Sequence, residues 1–393
     1  MSHRSRRTAG AALMRLLFVL TALAVGLAGY GVVARYLDFV DSPLAITDDS
    51  IHIVVERGDT FENVLQKLKQ AGVPAGRDLE WQVLARQLDA ETQLQVGEYA
   101  FTAGVTPREL LLRMREGKVI WYLFTIVEGW NIRELRAALT RASALKQETA
   151  QWDDRALMRA VGAPEQHPEG RFLPETYRYT HGDSDLDILK RAHTDMRKAL
   201  DAAWAARAPD LPIKSADQAL ILASIVEKET GVSSERAQVA GVFVRRLKLN
   251  MLLQTDPTVI YGMGSAYRGN IRRSDLRTDT PYNTYMRPGL PPTPIAMPGV
   301  DALRAATQPA PGDSLFFVAL GDGSGRHIFS RTLREHEQAV QAYLRRYRAA
   351  TRQEAATGRP VPPSSPQSRE STSEPSPQSP PQSPPPTTEQ PTQ

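Results

Sequence analysis

Two carboxylates, Glu227 and Glu229, close the apolar segment Ala219–Val226, and their spacing on a helix separates what each can do. Leu222, Ile225, Val226 and Glu229 fall at i, i+3, i+4 and i+7, the spacing of one buried helical stripe. Glu229 therefore ends the face that a core would bury, while Glu227 points roughly the other way, along the line of Leu220, Ala223 and Ser224. A carboxyl held against apolar surface loses hydration. Its charged form is disfavoured, and its pKa rises toward the range useful to a general acid. From periodicity alone the same residues also suit a solvated Glu-Lys-Glu patch at a helix end.

Other chemistries are poorly served. The chain has 7 histidines, scattered and without a His-Glu-x-x-His motif, so neither a metal site nor a cofactor is expected. With Cys at 0, disulfides, thiolate metal sites and Cys nucleophiles are excluded. No Gly-x-Ser-x-Gly elbow occurs, Gly323-Ser324-Gly325 reads as a turn, and Gly262 and Gly264 are too sparse to cradle phosphates. What remains is a carboxylic acid on an apolar face followed by a stretch rich in Gln, Asn, Thr and Tyr, which points to carbohydrate chemistry. Glycosidic cleavage needs a protonated carboxyl at the leaving oxygen and usually a second carboxylate. Asp256 is the obvious second candidate, with Glu169 behind it, although Asp256-Pro257 equally suits a turn. Tyr261, Tyr282 and Tyr285 offer flat faces and phenol donors to sugar rings, or else belong to a core.

The elements that must position these residues belong to an α+β chain of 393 residues, long enough for two or three domains. A formal charge of +4, with basic residues interleaved among acids, does not suggest nucleic acid as a partner. Arg4, Arg6, Arg7 and Arg15 precede an uncharged run, Leu16 to Ala34, that is long enough to span a bilayer as a helix. The alternative is a cleaved signal peptide, with Ala22-Leu23-Ala24 as a passable site, but the apolar run continues beyond it. Residues 1–15 are then a cytoplasmic basic segment, 16–34 a single-pass anchor in the inner membrane, and the catalytic part periplasmic.

Residues 35–50 read as a linker. Strand, glycine turn, cap and helix then recur in three places: Ile51–Val55 before Phe61–Lys69, Glu98–Phe101 before the Thr106 cap, and Leu123–Val127 before the Asn131 cap. Helices are expected over 186–206, 216–229 and 236–247, and a turn-rich functional stretch over 254–298. A buried strand over 314–320, a returning strand at 327–329 and a closing helix over 332–346 follow. Residues 350–393, rich in Pro, Ser, Gln and Thr, read as a disordered tail.

The chain from Ile51 to about Tyr347 resembles the YceG-like family, the endolytic murein transglycosylases. The resemblance rests on seven ordered motifs: Glu169–Tyr177, Ala223–Thr230, Ser234–Arg236, Leu253–Gly262, Pro281–Tyr285, Gly289–Pro292 and Ile295–Gly299. Glu175 stands where an Asp is common in the family. The resemblance implies a single membrane anchor, a LysM-like subdomain over 51–120 and a catalytic domain over 121–347. It also implies non-hydrolytic cleavage of the MurNAc-GlcNAc bond within peptidoglycan glycan strands, with Glu229 as the catalytic residue. Glu169, Tyr177, Gln254, Thr255, Asp256, Tyr261, Tyr282, Asn283 and Tyr285, which lie in those motifs, would bind the strand. Peptidoglycan synthases are implied partners, and termination of nascent strands an implied role. A hydrolytic muramidase using Glu229 and Asp256, and a non-catalytic wall-binding scaffold, are the alternatives.

Overall fold

The computed structural model describes residues 4–46, 50–73 and 76–357, the side chains of 4–13 and 353–357 excepted. It begins with one long helix, α1 (Arg4–Asp41), in which Met14–Asp41 is apolar enough to cross a membrane by length and composition. After it come β1 (Ile51–Val55), α2 (Phe61–Gln70), α3 (Asp78–Gln87), β2 (Gly97–Phe101), α4 (Pro107–Arg115) and β3 (Tyr122–Thr125). Strands β1 and β2 pair antiparallel with Ile51 opposite Phe101, so Ile51, Ile53, Val55, Tyr99 and Phe101 face inward. Helix α2 adds Phe61, Val64, Leu65 and Leu68, and α4 adds Leu110, Leu111 and Met114. Both helices start where the sequence places them: Thr60 caps Asn63 N–H, and Thr106 caps Glu109 N–H ahead of Pro107. Helix α3 is an addition, because its stripe is only Trp81, Leu84 and Ala85, too short for periodicity to reveal.

Residues 35–46 are not a linker. Helix α1 continues to Asp41, and Tyr36, Phe39, Val40, Leu44 and Ile46 join the core built on α3 and α4. The Phe39 ring meets Trp81 edge-on at 5.2 Å, Tyr36 Oη donates to Gln87 at 2.6 Å, and Arg108 reaches Asp41 at 3.0 Å. Each fully buried side chain of this size contributes about 1.5–3 kcal/mol, which outweighs the turn signals read from Asp and Pro here. Residues 47–49 of the expected linker lie outside the described residues.

Next come α5 (Ile132–Leu139), α6 (Asp154–Ala160), β4 (Thr176–Tyr179) and α7 (Asp185–Ala205). Strand β4 pairs with β3, Phe124 opposite Tyr177, and so belongs to the same compact unit: Met1–Thr125, Arg136–Asp153 and Thr176–Arg191. The second unit comprises Ile126–Leu135, Asp154–Glu175 and Ala192–Gln393. It contains α8 (Ala216–Glu229), α9 (Arg236–Lys248), α10 (Asp256–Met263), α11 (Arg273–Arg277), α12 (Val300–Thr307), β5 (Phe316–Ala319), β6 (His327–Ser330) and α13 (Leu333–Thr357). Helices α8, α9 and α12 pack against one another around a core that includes Leu222, Val226, Val239, Phe243, Leu303 and Ala306.

Four expectations change in the second unit. Helix α8 is buried on every side from Ala219 to Val226, so it is a central helix rather than one with a wet face. The stretch 254–298 is not all turn, since Asp256-Pro257 opens α10 with the proline in the first turn, where its missing N–H costs nothing. The strand expected over 314–320 is shorter and mostly half-buried, with Val318 alone fully inside. Helix α13 also runs past Arg346 to Thr357, into the segment expected to be disordered, where Ala and Gln favour helix. The tail beyond Thr357 lies outside the described residues.

Candidate active site

Glu229 is the last residue of α8, a helix capped at its start by Ser215 and left in extended geometry at Thr230. The Thr255 hydroxyl donates to Glu229 Oε1. Thr255 is itself fixed, because it is buried and its N–H donates to Thr284 Oγ1 at 3.1 Å. Asp256, the first residue of α10, accepts from Tyr285 Oη at 2.5 Å. Burial pushes the Glu229 carboxyl up to about 7, the Thr255 hydrogen bond opposes that rise, and the negative charge of Asp256 adds to it. The structure thus brings together Glu229, Thr255, Asp256 and Tyr285. Burial also raises the Tyr285 phenol, which stays protonated beside the two acids.

The other expected site residues are placed differently. Asn283 is buried, and its amide donates to the carbonyls of Asp275, Leu276 and Thr278 while its Oδ1 accepts from Tyr285 N–H at 2.9 Å. It shapes the loop that carries Tyr285. Glu169 is completely buried; Ile132 N–H at the start of α5 donates to both its oxygens, at 3.1 and 3.2 Å, and Tyr261 Oη donates at 3.0 Å. Burial pushes its carboxyl up to about 7 against those donors. Gly170 beside it has φ +77°, and a Cβ there would lie 2.6 Å from Pro294 Cβ, so a larger residue is excluded twice over. The Tyr261 ring lies 4.8 Å from Tyr282, whose hydroxyl meets Thr293 Oγ1 at 2.8 Å. Helix α10 therefore meets Glu229 near its first turn and Glu169 near its last. Gln254 is exposed, and Tyr177 is buried in β4 of the first unit.

Glu227 is not a solvated neighbour of Glu229. Its side chain is 4% exposed, it pairs with Arg236 at 3.1 Å, and it accepts Gly299 N–H at 2.9 Å. Arg236 also reaches Glu128 at 3.0 Å. A Cβ at Gly299 would lie 2.0 Å from Glu128 Oε1, so a larger residue there would have to displace the Glu128 side chain from Arg236. Burial raises the Glu227 pKa while Gly299 N–H and Arg236 oppose it, so this carboxylate is committed to tying the Gly299 segment to α8.

Sequence reasoning missed Arg246. Val239, Val242, Phe243 and Arg246 repeat the i, i+3, i+4, i+7 pattern that singles out Glu229, and the guanidinium is buried accordingly. Among the described residues no group of His, Cys, Asp or Glu is placed to hold a metal ion.

Fold and site define a mixed α+β protein with an N-terminal apolar helix and a desolvated, protonatable carboxyl at the end of a central helix. The chain belongs to the YceG-like family, whose model matches residues 53–342. It is 30% identical over 267 residues to the endolytic murein transglycosylase of Bacillus subtilis, covering 64% of this chain and 73% of that one. It is 24% identical over 345 residues to the Streptococcus pneumoniae D39 protein of the same name, covering 79% of this chain but only 62% of that relative's length. A solved yceG-like protein from Listeria monocytogenes is 25% identical at a TM-score of 0.46, covering 74% of this chain and 98% of that one.

Proposed function

We propose that the protein is a membrane-anchored endolytic lytic transglycosylase that cleaves the MurNAc-GlcNAc bond within peptidoglycan glycan strands. The observation that carries this reading is Glu229, a carboxyl raised to about 7 at the end of a buried helix in a chain of the YceG-like family. Protonated Glu229 donates to the bridging oxygen, and positive charge develops at the muramic C1 as that bond breaks. Glu229, now a carboxylate, takes the proton of the same sugar's C6 hydroxyl, whose oxygen bonds to C1. A 1,6-anhydro end forms, the acid is restored, and no water is consumed. Thr255 orients the carboxyl, and Asp256 with Tyr285 forms a hydrogen-bonding wall beside it. Gln254 and Tyr282 contact the strand, while Asn283, Tyr261 and Glu169 support that surface through their buried hydrogen bonds.

The order β1, α2, α3, β2 over Ile51–Phe101 supports a LysM-like, glycan-gripping subdomain, with the catalytic domain following it to about residue 347. Residues 16–34 of α1 sit in the inner membrane with the N-terminus cytoplasmic and the remainder periplasmic. There the enzyme ends nascent strands beside peptidoglycan synthases. The test is mass spectrometry of sacculi digested with the purified protein. Internal anhydro ends are expected; reducing ends would support hydrolysis with Asp256, and intact strands a scaffold.

A further inference from the structure

Arg246 lies on the inner face of α9 and donates hydrogen bonds only to carbonyl oxygens among the described residues. Nε bonds Leu315 O at 2.7 Å, and one terminal nitrogen bonds Leu252 O at 3.1 Å, Leu253 O at 3.0 Å and Gln254 Oε1 at 3.3 Å. The guanidinium carbon lies over the Phe316 ring, 5.1 Å from its centroid. The backbone it grips leads directly to Thr255, and it leads there through an unfavourable conformation: Gln254 has φ +51°, the left-handed region that side-chain-bearing residues avoid. Such a turn persists only where its surroundings over-determine it. On one side Gln254 N–H donates to Thr284 O at 3.1 Å, and on the other Arg246 holds the two preceding carbonyls and the Gln254 side chain.

We propose that Arg246 is a positioning residue for Glu229, holding the Leu252–Gln254 turn so that the Thr255 hydroxyl stays aimed at the Glu229 carboxyl. The inference rests on the reading of Glu229 as the proton donor. It gives Arg246 a role without contact to the substrate: Thr255 donates best to the carboxylate form, the form left after proton transfer, so a fixed Thr255 eases the donation that starts cleavage. The charged and titratable groups facing Glu229 are Asp256 of α10, Arg246 of α9 and Tyr285 of the following loop. Of these the guanidinium opposes the rise in the Glu229 pKa and Asp256 adds to it.

The test uses Arg246→Lys, which keeps the positive charge but loses the planar fork that reaches several carbonyls at once. The Glu229 carboxyl is followed by carbon-13 NMR titration in the full-length protein in detergent, a readout that needs no substrate and therefore stands whichever strand ends the wild type leaves. Losing the Thr255 hydrogen bond should move the Glu229 titration to higher pH by about one pH unit or more. Thr255→Val should produce the same rise, Thr255→Ser should restore the wild-type value, and Arg246→Lys combined with Thr255→Val should add nothing further. The alkaline limb of the cleavage profile should move upward in parallel. An unchanged Glu229 titration in Arg246→Lys, or rises that add in the double variant, would overturn the proposal. If the lysine variant does not fold, Arg246→Gln, which keeps two N–H donors, serves instead; because it also removes the charge that lowers the Glu229 pKa, the deciding readout there is whether adding Thr255→Val raises the titration further, which it should not. If neither folds while Thr255→Val folds and shows the rise, Arg246 is a core residue only and the proposal fails.

Discussion

Keeping Glu229 protonated at neutral pH requires the burial that pushes its carboxyl to about 7, and the sign of that shift has a consequence for stability. Between the ordinary value of 4.5 and about 7 the folded chain holds a proton that the unfolded chain has lost. The contribution is fully present below 4.5 and is lost as pH rises toward 7; Glu169, raised to the same range, acts alike. Glu229→Gln should therefore abolish strand cleavage while making the fold more stable at pH 8, by on the order of 1–3 kcal/mol, with the gain vanishing near pH 4.5. Denaturant unfolding at the two pH values checks it, and equal stability at pH 8 would contradict the burial argument. Asp256→Asn removes a charge that raises the Glu229 pKa, so the alkaline limb of the pH-rate profile should shift to lower pH. Activity should fall only by the worth of a hydrogen bond, roughly 1–3 kcal/mol, since the substrate's own C6 hydroxyl is the nucleophile. Loss of two to four orders of magnitude would instead mark Asp256 as a catalytic base or nucleophile.

At the scale of elements, α8 is held by what its two carboxylates do separately. Glu227 ties α8 to Arg236 of α9 and to the backbone before α12, whereas Glu229 faces α10. Arg236→Ala leaves Glu227 buried without its cation and should cost about 3–5 kcal/mol in unfolding free energy. Glu227→Gln keeps the Gly299 acceptor and should cost less, with anhydro products still formed; their loss in this variant alone would reassign the catalytic acid. Helix α1 is likewise more than an anchor, because Val40, Leu44 and Ile46 are buried in the first unit's core. A chain beginning at residue 50 should thus lose roughly 4–8 kcal/mol of that unit's stability relative to one beginning at residue 35. Equal thermal unfolding of the two chains would show that those contacts contribute nothing.

For the whole molecule the prediction is topological. By the positive-inside bias, the arginines before Leu16 and the apolar run of α1 should put everything after α1 across the membrane. A reporter that fluoresces only in the cytoplasm should be dark when fused after Tyr347 and bright when fused before Arg4. A bright fusion after Tyr347, or a mature chain starting near Val25, would exclude the anchored arrangement. Because α1 enters the first unit as a continuous helix, a membrane-spanning α1 should hold that unit at the membrane surface rather than let it swing on a flexible tether.

Much of this was legible without coordinates, because it depends on neighbours within a turn or two of chain. The N-cap at Thr60, the capping box at Thr106, the bounds of α8 and the place of Glu229 at its end follow from local periodicity and hydrogen bonding. The apolar run of α1 and the ordered family motifs are equally readable. Tertiary structure decided the rest, since a buried polar group is defined by partners that the chain brings back from a distance. Periodicity could not show that Ala223 and Ser224 are as buried as Leu222, because α12 and α9 cover them from residues far along the sequence. Nor could it show that Glu227 meets Gly299, that Glu169 caps α5, or that residues 35–46 leave the linker for a core. Arg246 carried the same spacing signal as Glu229, but an arginine on an apolar face acquires a role only through the carbonyls it finds there, and those belong to the fold.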